Sequence, residues 1–137
     1  MFKNLLLSLL VAVPVIAQAE WLELSNDDEY KSYIDPDRTV STSSSLQQAE
    51  TWIKMIIHTD LSKDGLSVGD HKMAKYKVKC NSNEIGLAAV YSYKKTGQMI
   101  NSYVPSYVNY EPVIPESKGE FMAYVVCNYL YGEAEES

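Results

Sequence analysis

The chain predicts an α+β fold: an antiparallel sheet of about six strands with a C-terminal helix packed on it, held by one disulfide. Three observations predict this. Apolar and polar residues alternate with period two through most of the chain, between short clusters of Asn, Asp, Gly and Pro. After Pro115 the spacing changes to three and four, the period of a helix. Finally, the only two cysteines, Cys80 and Cys127, follow what reads as an export signal.

That signal occupies residues 1–19. Lys3 gives a positive start, and the apolar run from Leu5 to Val13 is too short to span a bilayer. After Pro14, Ala17 and Ala19 supply the small residues a signal peptidase reads, so cleavage is expected before Glu20. No cysteine follows the run, so no lipid anchor and no transmembrane segment are expected after cleavage. The remainder suits one domain, residues 20–131, with an acidic tail at 132–137. Lys3 would leave with the leader and make the formal charge of −6 more negative by one. Such a balance argues against nucleic acid as a partner, since phosphate binding needs a basic face.

The elements follow in order. Residues 21–25 alternate Trp21, Glu23 and Ser25 against Leu22 and Leu24, a strand with one buried face. Asn26, Asp27 and Asp28 turn the chain, residues 29–35 form a tyrosine-rich strand, and Pro36 ends it, making another turn with Asp35 and Asp37. Residues 39–41 read as a short third strand. Residues 50–59 are the clearest central strand, with Ile53, Met55 and Ile57 in one row and Trp52, Lys54, Ile56 and His58 in the other. Residues 60–70 have the Asp and Gly content of a connecting loop. In the strand at 72–80, Ala74, Tyr76, Val78 and Cys80 lie opposite Met73, Lys75, Lys77 and Lys79. Strands at 84–93 and 98–103 flank a hairpin turn at 94–97, which completes a meander.

Ser117 and Glu120 form a capping box that opens the helix. Phe121, Met122, Val125, Val126 and Tyr129 would form its apolar stripe. Two cysteines in an oxidising compartment read as one disulfide, against free thiols or a metal pair. Closing so long a loop is worth roughly 4 kcal/mol in the chain-entropy account.

The order of these features resembles the surface-adhesin protein E family of Gram-negative bacteria. The features are Tyr33-Ile34-Asp35, Trp52 with Lys54, Lys79-Cys80, Tyr93 with Gly97, Pro115-x-Ser117 and Cys127, across residues 21–127. The resemblance implies an antiparallel sheet with a C-terminal helix tied down by a disulfide. It also implies a non-catalytic surface adhesin that binds host matrix or serum proteins. The alternative is a soluble periplasmic protein that binds a small molecule or an envelope partner and has no host target.

The residues themselves add candidates. Lys75, Lys77 and Lys79 make a basic stripe able to meet sulfated glycans or acidic protein patches, or simply a solvated sheet face. Tyr103, Tyr107 and Tyr110, in a segment broken by Pro105 and Pro112, offer an aromatic recognition surface. His58, Asp60, Asp70 and His71 stand at the ends of the 60–70 loop and are weak metal candidates, though no metal or cofactor is expected. Asp60 to Gly65 imitates the opening of a calcium loop, but His71 stands at its twelfth position in place of Glu, so a hairpin loop is the better reading. No nucleophile elbow, phosphate loop or zinc spacing occurs, so no enzymatic activity is expected.

Overall fold

A computed structural model describes residues 20–132, so the leader at 1–19 and residues 133–137 of the tail lie outside the described residues. Eight strands form one antiparallel sheet: β1 (Leu22–Asn26), β2 (Tyr30–Ile34), β3 (Val40–Ser43), β4 (Gln48–Ile57), β5 (His71–Lys79), β6 (Glu84–Tyr93), β7 (Met99–Tyr103) and β8 (Glu111–Pro112). The main order is β1-β2-β4-β5-β6-β7, with β3 on β4 and β8 on β6. The helix α1 (Lys118–Tyr131) lies across one face. This is the α+β architecture expected from the sequence; β3 falls where the short third strand was read, and the two-residue β8 is the strand the sequence pattern did not show.

Alternation in the long strands places every second residue under the helix. Ala49, Ile53, Val78 and Ile34 from the sheet meet Met122, Ala123 and Val126 of the helix. Burial of this apolar surface is the main stabilising term. Cys80 and Cys127 form the disulfide, closing a 47-residue separation with Cα atoms 5.8 Å apart. The helix is also held at its ends. Lys118 pairs with Asp27 in the β1–β2 turn, and the Tyr131 hydroxyl donates to the Gln48 carbonyl at 2.6 Å. Ser117 caps its first turn by accepting from the Glu120 N–H at 3.2 Å.

Two details differ from the sequence pattern. Leu22 is 50% exposed, because β1 is an edge strand and its register slips between Glu23 and Ser25. On the helix, Phe121 and Tyr129 stay about half exposed while Ala123 turns inward. The cause is the close approach of the first turn to the sheet. A Cβ on Gly119 would sit 2.8 Å from Ile85 Cδ1, and that contact rotates the buried stripe onto Met122, Ala123 and Val126.

Candidate functional site

The face of the sheet away from the helix is open, and its composition differs from that of the chain. Cross-strand pairs Tyr33–Lys54, Lys54–Met73, Trp52–Lys75, Glu50–Lys77 and Lys79–Glu84 all lie on it. Its cations are Lys31, Lys54, Lys75, Lys77, Lys79 and the neighbouring Arg38, against the carboxylates Glu23, Glu50 and Glu84. A chain of charge −6 therefore carries one basic face. Lys75 is committed within it, paired with Glu50 at 3.3 Å and set over the Trp52 ring at 5.8 Å. Lys79 lies 4.0 Å from the centre of the Tyr110 ring. Burial first, and then the Glu84 carboxylate, push the Tyr110 phenol above its ordinary pKa.

Arg38 reaches this face from the short turn after β2. Its guanidinium pairs with Asp35, a carboxylate with 0% exposure, and lies 5.5 Å from the centre of the Trp21 ring. The second Asp35 oxygen accepts the Asp37 N–H at 3.0 Å, and Thr39 Oγ1 donates to the Asp35 carbonyl. Thr39 in turn meets Thr51 of β4 at 2.7 Å. A buried acid with its partners satisfied thus fixes an exposed base in one position. Sequence reasoning read residues 35–37 as a turn and missed this anchor. The signal available was Asp three positions before the only arginine, on either side of a proline turn.

The aromatic segment does not join the lysine stripe as one surface. Tyr110 stands on the open face beside Lys79, whereas Tyr103 and Tyr107 turn toward the helix side. The chain can pass so close to β6 because residue 86 is glycine. A Cβ there would collide with Val108 Cγ1 and sit 2.9 Å from the Asn109 carbonyl oxygen. The result is a cleft of about 620 Å³ between β6, the 103–114 segment and the first turn of α1. Tyr76, Ile85 and Val113 form its floor, and Tyr103, Tyr107 and Ile114 stand largely exposed at its mouth. Tyr107 is 76% exposed, and no charged residue occurs between Gln98 and Tyr110.

The proposed metal ligands are not brought together. His58 Nε2 lies 2.6 Å from the Asp27 carbonyl oxygen and its Nδ1 contacts Thr59. Asp60 accepts from the Lys63 N–H and pairs with Lys63 Nζ at 3.5 Å. The Asp70 oxygens take the N–H groups of Ser67 and Lys95 and the Lys94 ammonium, which hold its carboxyl below the ordinary range. His71 stacks on Tyr93 at 5.1 Å on the open face. Each group is already used, and among the described residues no three His, Cys, Asp or Glu side chains form a metal-holding cluster. Nor does the 60–70 loop present an oxygen cage: Asp64 accepts from the Leu66 N–H and pairs with Lys72 at 3.0 Å.

A single sheet, one disulfide-bound helix and two exposed side-chain surfaces define a scaffold for recognition by contact. The chain belongs to the family described as surface-adhesin protein E, whose model matches residues 21–128. Its fold is similar to that of Haemophilus influenzae protein E, with a TM-score of 0.58, 14% identity, and coverage of 92% of this chain and 96% of that one. A second crystal form of the same protein aligns with a TM-score of 0.54 and 13% identity, covering 82% of this chain and 98% of that one. No curated protein matches the sequence. Among the described residues no helix is long and apolar enough to cross a membrane.

Proposed function

We propose that residues 1–19 direct export and that the remaining domain is a non-catalytic binding module of the bacterial envelope. Its ligand is a host matrix or serum protein, engaged through the cleft beside the helix. The observation that carries this reading is the cleft itself, in a member of an adhesin family. Tyr103, Tyr107 and Ile114 are exposed together around the cleft, the two tyrosines on a stretch without charge, and Glu111 and Lys118 are the charged groups of its lining. Exposed apolar clusters of this kind mark interaction sites, and tyrosine is enriched among residues that dominate binding energy.

The test uses whole cells and purified protein. External protease should remove the domain from intact cells, and the purified protein should bind an immobilised matrix or serum protein. Replacing Tyr103 and Tyr107 together by Ser should weaken that binding by about tenfold or more. A domain protected from external protease, recovered with an envelope partner, would instead support a periplasmic role without a host target.

A further inference from the structure

On the opposite side of the sheet, Arg38, Trp52, Met73, Tyr91, Tyr93 and Met99 line a shallow depression of about 440 Å³. That volume falls within the roughly 300–1,000 Å³ typical of small-ligand sites. The Trp52 and Tyr91 rings lie 6.1 Å apart and tilted by 37°, so their faces are not closed against each other. We propose that this depression binds a carboxylated sugar residue at the end of a glycan, its ring lying on Trp52 and Tyr91 and its carboxylate on Arg38.

Three features favour that ligand. Arg38 is the only arginine in the chain, and its pairing with buried Asp35 and stacking on Trp21 hold it ready. A guanidinium has five N–H donors, and its planar fork matches a planar carboxylate. Beside it, Lys54 Nζ lies 5.8 Å from the same Trp21 ring, and forms no ion pair among the described residues. The positive potential there is felt by His71, whose pKa is lowered first by burial and then by Lys54.

The floor selects a ring over an extended peptide. Trp52, Met73, Tyr91 and Tyr93 sit on β4, β5 and β6, central strands paired on both sides, and Met99 alone comes from the edge strand β7, so the floor itself offers little free main chain for a peptide to join. Recognition must come from side chains. Sugar C–H groups carry slight positive charge and pack well on the negative face of an aromatic ring. This surface is distinct from the cleft beside the helix, so the inference stands whether or not that cleft binds protein.

The experiment titrates the purified protein with glucuronate-terminated and sialate-terminated oligosaccharides. Controls are neutral oligosaccharides, sulfated ones and a glutamate-rich peptide, and the readout is the Trp52 indole N–H signal. A carboxylated sugar should shift that signal, and its neutral counterpart should bind about tenfold more weakly. Arg38→Lys should cost a similar factor, and Tyr91→Leu should weaken binding without altering the fold reported by the remaining amide signals. Equal or tighter binding of the sulfated sugar or the acidic peptide would overturn the proposal. So would an unmoved Trp52 signal with both carboxylated sugars. Loss of protein binding in the Tyr103 and Tyr107 double variant, with the sugar shift retained, would separate the two surfaces.

Discussion

The two faces of the sheet are built from the same strands by the same alternation, yet they do opposite things. Beneath the helix, Ala49, Ile53 and Val78 are closed off with Met122 and Val126. On the other side, their immediate neighbours Glu50, Trp52, Lys54, Lys77 and Lys79 remain half-exposed. Stability is concentrated on the covered face, which leaves the open face at liberty to carry charge and aromatic surface that no core would tolerate. The comparison teaches that recognition needs no separate domain here, only the unused side of a strand.

The sharpest way to break that division is to cut the tie that closes it. Cys80→Ser with Cys127→Ser, or full reduction, removes a cross-link worth roughly 4 kcal/mol. Thermal unfolding followed by circular dichroism should show a drop in Tm of more than about 10 °C. A drop of only a degree or two would mean that packing and the end contacts of Lys118 and Tyr131 hold the helix without it. The native disulfide is checked by alkylation and mass spectrometry, and free thiols there would remove this account of the covered face.

A paired substitution sharpens the comparison next. Met122→Ala on the covered face should destabilise by about 2–5 kcal/mol, because the cavity cannot refill from a helix already seated on Ile85. Tyr91→Ala on the open face removes a half-exposed ring and should cost about 1 kcal/mol. Urea midpoints of the two variants measure both. Similar losses would show that the open face also carries part of the core.

Most of this architecture was legible in the sequence because period-two alternation and a capping box are local signals. Ile53 and Ile57, Ala74 and Val78, Ser117 and Cys127 could be placed from their neighbours alone. What escaped depends on contacts distant in sequence. The phase of the helix stripe follows from Gly119 meeting Ile85, and the split of the tyrosines from Gly86 admitting Val108. The slips in register at Glu23 and between Lys75 and Tyr76 leave no mark in a periodic pattern. The Asp35–Arg38 anchor looked like a turn because its purpose lies in Trp21 and Thr51, fourteen and sixteen positions from Asp35 along the chain. Proximity in sequence does not by itself make a site: His58, Asp60, Asp70 and His71 flank one loop, but each finds another partner.

The smallest expected effect concerns pH and tests how far the open face behaves as a unit. His71 stacks on Tyr93 there, and burial, reinforced by Lys54, lowers its pKa in the folded protein while Asp70 opposes the shift. The folded state therefore takes up the proton less readily than the unfolded chain, whose imidazole titrates near about 6.5. Between the folded and unfolded pKa values the unfolded state binds more protons, so stability rises with pH through that window. Lowering pH from neutral through about 6.5 should reduce the urea midpoint slightly, by an amount His71→Phe abolishes. Lys54→Gln should move the His71 ring signals back toward an ordinary titration. The carboxylates Asp64 and Asp70, whose pKa values are lowered, lose their contribution only at more acidic pH, which keeps the two effects apart. A His71 titration unmoved by Lys54→Gln would mean that the lysines of this face are screened from one another and act as separate charges rather than as one field.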